Sequence, residues 1–477
     1  MPFPYTLPTT SATALTSCFS SPTHPSLIFS ATSQRAVVRD NLKRHKRLPP
    51  SQQAINIAVV QSALDLYLRY LFSIYNSSPD ASGATSYGGV TQVSVAETQE
   101  LVTQWRSTLS SSIPGRETPR IQVKGLRNEL AYVLQTLAYT YVHLARAALL
   151  ELQRATSPSS ETRASLVATA MKHLLEANSI HTYVSSLHVS SDQPSPIDVS
   201  PSTSLALASL AMAEATLIVV LKDDPYAAAV ADDRNKDSKE WMIAAPSIPK
   251  VRAHLFARLC ITATDHAAKA CGLLESSRID HDLARYARDL RRTARGKASR
   301  FLAIDAEASG KTGEAIAWLR GARRELGDDG TGAARKGLRG LKHSWTERRE
   351  DKRLEKGADD WGLDAGRLEE SRVVEWLEAK WVKSNDTVNV QPIPPSEPLL
   401  ATMPSGRDYH SPVPFRPPAL GSDALNALRA PVDASQRAYT GAEDDSGDEN
   451  TLVGDTPGAF PGTNHQYSGG TSRGSYY

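Results

Sequence analysis

The sequence predicts an all-α fold, a solenoid of paired helices followed by a polar, disordered tail. Three observations carry that expectation. Almost every patterned segment places its apolar residues at spacings of three and four, the period of a helix with one face against a core. Ala and Leu dominate those segments, and the β-branched alternation of a strand is absent. After about Val390 the composition changes: the last 87 residues hold 12 Pro and 10 Gly, a range in which disorder is expected.

The N-terminal segment "MPFPYTLPTTSATALTSCFSSPTHPSLIFSATSQR" has no charged side chain before Arg35. It lacks the basic start and continuous apolar run of a secretory signal and the arginines of a mitochondrial presequence, so it reads as an arm lying on the domain. Helical patterns follow at about 52–75 and 94–110. From Gly125, "GLRNELAYVLQTLAYTYVHLARAALLELQ" sets Leu126, Leu130, Val133, Leu134, Leu137, Tyr141, Leu144 and Ala148 on one face of a helix of about eight turns. "ETRASLVATAMKHLLEANSIHTYVSSL" repeats the pattern through Leu166, Ala170, Leu174 and Ile180. Further helices are predicted at about 202–221, 225–243, 248–276, 281–309, 313–326 and 367–383.

Pro-, Ser- and Gly-rich loops at 76–89, 155–160 and 190–203 separate these segments, and helices so joined pair as antiparallel hairpins. "ASGKTGEAIAWLRGARREL" resembles one tetratricopeptide hairpin, with Ala315, Leu319 and Ala322 at the small-large-small contact positions. A single match supports the local geometry of a solenoid rather than a repeat family. The stretch to about Ala419 still carries Leu399, Leu400, Met403, Tyr409 and Phe415, and is expected to lie extended along the folded part. "GAEDDSGDENTLVGD" and "GGTSRGSYY" have the composition of disorder.

Ser204 to Leu221 is the most apolar stretch and contains one charge, Glu214. Its length is nearly that of a membrane span. A span would hold Glu214 at mid-bilayer, at a cost of about 2–3 kcal/mol on insertion scales. No aromatic belt or positive flank accompanies it, Lys222, Asp223 and Asp224 follow at once, and Ala occupies 206, 208, 211, 213 and 215. A helix apolar all round and flanked by amphipathic helices is the central helix of a bundle.

Catalytic and ligand motifs are missing. With 54 Lys and Arg against 52 Asp and Glu, the formal net charge of +2 gives no signature of a nucleic-acid binder. Cys18, Cys260 and Cys271 have neither zinc nor disulfide-framework spacing and read as reduced, small core residues of a cytosolic protein. "SGKTG" at 309–313 ends like a phosphate loop, but Asp305 stands where that loop needs its first Gly, inside a helical pattern. His173, His181 and His188 lie at spacings of eight and seven, not the three or four of a metal pair. No G-x-S-x-G, H-E-x-x-H or strand-borne G-x-G-x-x-G occurs. The expectation is a non-enzyme with no cofactor, no metal, no small-molecule substrate and no nucleic-acid partner.

Three basic runs remain: "RDNLKRHKR" from Arg39 to Arg47, residues 278–300, and residues 335–356. On the second, Arg285, Arg288, Arg291, Arg292 and Arg295 form a candidate patch for an anionic membrane or an acidic partner. The alternative is a solvated helix face.

The order of these pieces resembles the Bro-type domain, the fold shared by Alix and its fungal relatives. "RNELAYVLQTLAYTYVHLA" is similar to that family's characteristic helix, in which a Glu precedes small and apolar residues and a final Leu-Ala. "SLALASLAMAEATLIVVLK" is similar to its Leu-Ala-rich helix, which closes on bulky residues, Leu and Lys. "YTLPTTSATALTSCFSS" and "LLATMPSGRDYHSPVPFRPP" look closest to one fungal branch, the PalC-type pH-response regulators.

The resemblance implies a curved, banana-shaped helical solenoid without catalytic activity over residues 1–420, with an N-terminal arm and an extended C-terminal arm, and a disordered acidic tail over 421–477. It implies a groove for the C-terminal amphipathic helix of the core ESCRT-III filament subunit. For the fungal branch it implies ambient alkaline pH signalling, between a plasma-membrane sensing complex and proteolytic activation of a zinc-finger transcription factor. Such a protein is cytoplasmic and recruited peripherally to the plasma membrane or to endosomal ESCRT-III sites. The groove residues implied are Val219, Leu221 and Lys222, then Tyr226 and Val230. Val219 and Val220 stand where relatives carry aromatic rings, and the charged "ADDRNKDSKE" follows Val230 where relatives stay apolar. Alix-like proteins carry a second long helical domain that reads Tyr-Pro-x-Leu motifs; 57 residues after Leu420 do not hold one, so that recognition is not expected.

Overall fold

The structure, a computed structural model, describes residues 2–77, 93–111, 118–155, 159–187, 195–234, 248, 250–275, 278–327 and 362–430. Met1–Ala430 cluster as one compact unit. The helices are α1 (Pro25–Arg47), α2 (Pro50–Ser77), α3 (Leu126–Arg154), α4 (Ser160–Leu187), α5 (Pro201–Leu221), α6 (Tyr226–Arg234), α7 (Lys250–Leu273), α8 (His281–Glu307), α9 (Thr312–Glu325), α10 (Arg367–Ser384), α11 (Ser396–Ala401) and α12 (Ser422–Ala427). Successive long helices pack on one another from α1 through α5, then α5 on α7, α7 on α8 and α8 on α9, as expected of serial hairpins.

Two elements differ from the sequence reading. Residues 94–110 are not helical. β1 (Phe19–Ser20) pairs antiparallel with β2 (Ala96–Glu97), and β3 (Val102–Arg106) with β4 (Arg120–Lys124), Val102 opposite Lys124 and Arg106 opposite Arg120. Leu101, Trp105 and Leu109 recur every four residues, which fits both a helical period and a period of two. The strand period wins: Leu101, Thr103 and Trp105 are buried, while Val102 and Gln104 are exposed. The N-terminal arm extends this ribbon, with the Ser11 N–H donating to the Gln104 carbonyl at 3.0 Å and the Arg106 N–H to the Thr9 carbonyl at 2.9 Å.

The second difference is α1, where the sequence reads as an arm. Pro25 sits in its first turn, a position suited to a residue without an N–H. Leu27, Ile28, Ala31, Arg35, Val38, Leu42 and His45 are buried at regular helical spacing. An Arg and a His within the stripe disguise it. Arg35 is buried because its Nε donates to Glu129 Oε1 at 2.9 Å, while Trp105 Nε1 donates to Glu129 Oε2 at 2.6 Å. A buried charge persists only when paired and hydrogen-bonded. Glu129, the Glu of the "RNELAY" helix, thus ties α1 and β3 to α3.

Apolar burial divides into two clusters. The first gathers the N-terminal arm, α1 to α5, the C-terminal half of α7 and the N-terminal half of α8. The second gathers α6, the N-terminal half of α7, the C-terminal half of α8, α9 and α10, with Val220 at the end of α5. α2 and α5 are long and apolar enough to cross a membrane, but most of α5 is buried among its neighbours. Ser200 caps it, accepting the Thr203 N–H, and Pro201 opens it. Glu214 has a use inside the protein: it accepts the Phe3 N–H at 3.2 Å and the Tyr286 hydroxyl at 2.6 Å, anchoring the N-terminal arm. Burial raises its carboxyl above the ordinary range, and the Tyr286 hydrogen bond offsets part of that rise.

The Pro-rich stretch lies extended along the folded part. Leu399, Leu400 and Met403 pack on the second cluster, and Phe415 and Leu420 on the first. Arg258 Nε donates to the Ser405 carbonyl at 2.9 Å, and Phe415 packs 5.1 Å from the Tyr183 ring. The folded chain continues past 420: α12 follows, Leu428 packs on the first cluster, and the Ala430 N–H donates to the Thr23 carbonyl at 2.9 Å. The rest of the predicted tail, 431–477, lies outside the described residues, as does the basic run 335–356.

"SGKTG" serves this packing. Gly310 adopts φ +75°, closing the turn between α8 and α9, and a Cβ at Gly313 would collide with the Pro392 carbonyl.

Candidate partner-helix site

The five groove residues fall at the end of α5 and on α6, but the structure does not gather them on one wall. Val219 is half-buried against the second cluster and Leu221 half-buried against the first. Lys222, which ends α5, is exposed. Tyr226 and Val230 lie one turn apart on α6 and are 5 % and 7 % exposed, packed inside the second cluster. Those two positions are therefore corrected: they support the surface from beneath instead of lining an open groove. α6 is resolved over nine residues of the predicted 225–243, and 235–247 lie outside the described residues. The accessible apolar surface here is Leu217, Val219 and Leu221, all half-buried. Across from it on α7, Val251 is 83 % exposed, beside Arg252, whose Nη1 lies 3.6 Å from Asp223 Oδ2.

A buried ion cluster that sequence reading missed holds this end. Arg300 on α8 is fully buried; its Nη2 lies 2.5 Å from Asp224 Oδ2 and its Nε 2.6 Å from Glu370 Oε1 on α10. Lys297 Nζ donates to Glu370 Oε2 at 2.6 Å. Asp224 also accepts the Tyr226 N–H at 3.1 Å, so one carboxylate both starts α6 and pairs with α8. The guanidinium stands 5.7 Å from the Tyr226 ring centroid, close enough for a cation–π contact. Burial alone would lift the carboxyls of Asp224 and Glu370, but Arg300 and Lys297 outweigh it and hold both below their ordinary values. Burial pushes the Tyr226 phenol up to about 12, with Arg300 opposing.

Arg300 and Lys297 belong by sequence to the basic run 278–300. What sets Arg300 apart is its place on a second, small-residue face of α8: Thr293, Gly296 and Ala303 share that face and are buried.

The other arginines of that run are divided. Arg285 and Arg292 lie 3.6 Å and 3.9 Å from the Asp289 carboxylate, and Arg295 pairs with Glu325 at 2.8 Å. Arg288 and Arg291 are exposed, with no carboxylate partner among the described residues. They lie near Cys271 on α7: burial raises its thiol, and Arg291 and Arg288 partly offset the rise. His181 is a core imidazole beside Gln135 Oε1 at 3.0 Å, pushed down to about 3 by burial; His173 is half-buried, and His188 lies outside the described residues.

Paired helices in series, a short ribbon and an extended C-terminal strap define the class of fold: an all-α helical solenoid. Residues 92–414 match the BRO1-like domain family. The fold is similar to that of ALIX in complex with the SIVmac239 PYKEVTEDL late domain, with a TM-score of 0.55 at 16 % identity over 92 % of this chain and 53 % of that one. The chain thus spans about half the length of that ALIX chain. It is likewise similar to ALIX BRO1 in its complex with CHMP4C, with a TM-score of 0.51 at 16 % identity, covering 86 % of this chain and 95 % of that one. These two likenesses establish the fold. The sequence is also 44 % identical over 500 residues to the pH-response regulator protein palC of Emericella nidulans, covering 97 % of this chain and 99 % of the relative. The chain belongs to the palC family of BRO1-domain pH-response regulators.

Proposed function

We propose that this chain is a non-catalytic adaptor in ambient alkaline pH signalling. It docks the C-terminal amphipathic helix of the core ESCRT-III filament subunit at the end of α5, and links a plasma-membrane sensing complex to proteolytic activation of a zinc-finger transcription factor. It works from the cytoplasm, recruited peripherally to the plasma membrane or to endosomal ESCRT-III sites. The observation that carries this reading is the near full-length identity to a protein named as a pH-response regulator. The likeness in fold to ALIX BRO1 in its CHMP4C complex supports the choice of partner. Half-buried Val219 and Leu221 suit the apolar face of an amphipathic helix, and exposed Lys222 suits a carboxylate on it.

The test is capture of the ESCRT-III tail helix by the full chain carrying Val219→Asp, Leu221→Asp or Lys222→Glu, with circular dichroism as the folding control. Loss of capture in all three, with helicity retained, supports the site; unchanged capture in Lys222→Glu and either apolar variant removes it.

Exposed Arg288 and Arg291 favour a second reading, a scaffold on an anionic membrane surface. It predicts vesicle co-sedimentation that fades with salt and is lost in Arg288→Glu/Arg291→Glu.

A further inference from the structure

The prolines of the C-terminal strap carry a spacing that packing alone does not use. Residues 403–421 belong to no helix or strand. Within them, "PVPFRPP" runs from Pro412 to Pro418. A proline fixes its own φ near that of polyproline II and keeps the residue before it extended. In this run only Phe415 escapes both constraints. Polyproline II has three residues per turn and no internal hydrogen bonds, so its side chains fall on three edges. Pro412 to Pro418 make no backbone–backbone hydrogen bond among the described residues.

The strap is seated on either side of this run. Upstream, the Arg407 N–H donates to the Arg258 carbonyl at 3.2 Å, and a Cβ at Gly406 would collide with Thr262, so the backbone lies directly on α7. Downstream, Leu420 packs on the first cluster and the Ala430 N–H holds the Thr23 carbonyl. In the middle, the Phe415 ring centroid stands 5.1 Å from that of Tyr183 on α4 and 6.4 Å from that of Phe72 on α2. Phe415 and Pro418, one turn apart on one edge, are half-buried; Pro412, a turn earlier on that edge, is exposed. The other two edges face out, Val413 and Arg416 on one, Pro414 and Pro417 on the other. Val413 is 72 % exposed. Joining α11 to α12 accounts for the inward row. It does not account for an outward row of apolar residues at a period of three.

We propose that this run is a preformed ligand for an SH3-type domain, with Val413-Pro414 and Arg416-Pro417 entering two adjacent pockets of an aromatic-lined groove. Such grooves read Pro-x-x-Pro segments in the polyproline II form. Pro414 and Pro417 have that spacing, about 9 Å apart along the helix axis. Two edges of a threefold helix can meet a groove only if the third points away from it. Here the third edge is the one that Phe415 seats on the body. Ordering an extended segment is part of the cost of binding it, and the fold holds this one in place before a partner arrives. Arg416 is the one charge between Ser411 and Leu420. It is exposed, has no carboxylate partner among the described residues, and is complementary to an acidic groove rim. The surface does not include Val219, Leu221 or Lys222, so this inference does not rest on the adaptor reading.

The test passes the full chain over the SH3 domains encoded in its own genome, each purified and immobilised, with the WW domains of that genome as a second panel. Val413, Pro414 and Pro417 are exposed, so Val413→Asp and Pro414→Ala/Pro417→Ala leave the fold intact, with circular dichroism as the control. Pro392→Ala/Pro395→Ala, the same spacing upstream of α11, is the control for proline content. Saturable binding of at least one SH3 domain supports the site if Val413→Asp and Pro414→Ala/Pro417→Ala each weaken it about tenfold or more, while Phe415→Leu and Pro392→Ala/Pro395→Ala leave it unchanged. The proposal is overturned if the wild-type chain retains no SH3 domain or retains WW domains only. It is equally overturned if Pro414→Ala/Pro417→Ala fails to weaken binding by that factor, or if Phe415→Leu or Pro392→Ala/Pro395→Ala weakens it as much. ESCRT-III helix capture, measured in parallel, reports on α5, so failure of either reading leaves the other standing.

Discussion

Glu370→Gln tests how the α6 end of the molecule is held. The Glu370 side chain is 1 % exposed and takes Arg300 Nε at 2.6 Å, Arg300 Nη2 at 3.3 Å and Lys297 Nζ at 2.6 Å. Hydrogen bonds to charged groups contribute about 1.5–3 kcal/mol each. The amide keeps one acceptor oxygen and loses the charge, leaving Asp224 as the carboxylate paired with buried Arg300, and half-buried Lys297 without its partner. Removing one partner of a buried ion pair costs about 3–5 kcal/mol. Because Asp224 stays 2.5 Å from Arg300, the loss should fall at the low end, about 3 kcal/mol.

The assay is urea denaturation followed by tryptophan fluorescence, since Trp318 and Trp381 are buried in the second cluster and Trp376 packs on it. The acid limb gives the sign. Asp224 and Glu370 have folded pKa values below their unfolded ones. Their contribution is therefore complete above the unfolded pKa, about 4, and is lost as pH falls through the lowered folded values. Wild type should lose stability more steeply there than Glu370→Gln. A Glu370→Gln loss below about 1 kcal/mol, or an unchanged acid limb, refutes the assignment of these charges as the clamp.

Three further outcomes are expected. Glu214→Leu removes the carboxylate that accepts the Phe3 N–H and the Tyr286 hydroxyl and should cost about 2–6 kcal/mol in denaturant unfolding, at about 1–3 per hydrogen bond removed. Burial pushes Asp65 up to about 6 against the pull of Arg69, so its folded state gains relative stability below its unfolded pKa and loses it as pH rises through about 6. Asp65→Asn should therefore raise the denaturation midpoint at pH 7 and leave it unchanged near pH 4; equal shifts at both would contradict that titration. Gly313→Ala pushes against the Pro392 carbonyl and should speed limited proteolysis around 390–395, with α9 otherwise intact by amide exchange.

Long helices were legible because burial needs a repeated apolar face, and α3, α4 and α7 to α10 carry one. α1 was hidden because Arg35 and His45 occupy two of its buried positions. The ribbon was hidden because a four-residue recurrence of Leu101, Trp105 and Leu109 does not separate a helix from a strand. At the candidate site, sequence located the end of α5 but not which residues face out. Tyr226 and Val230 look like groove residues in a string of letters; their burial depends on α10 and α8, which arrive many residues later. Asp224, Arg300 and Glu370 were illegible for the same reason: each reads as a solvated charge until its partners are placed.

The buried charges fall where apolar area runs short. The N-terminal arm is a few residues wide and is fixed by Glu214, Arg146 and the Glu129 cluster. α6 is described over Tyr226–Arg234, and of those residues Tyr226, Ala229 and Val230 are buried. Its nearest apolar contacts, Tyr226 and Val230, cannot by themselves choose an orientation, because apolar attraction is non-directional. An ion cluster can, since its geometry is satisfied in one arrangement only. The surface offered at Lys222 is in this view set from inside: Arg300 positions α6, α6 backs Val219 on the second cluster, and Leu221, one side over, belongs to the first. Under the proposed docking, a partner helix laid there would rest on the seam between the two apolar clusters. The proposal then predicts an affinity that depends on how the cores are joined and not only on the residues the partner touches.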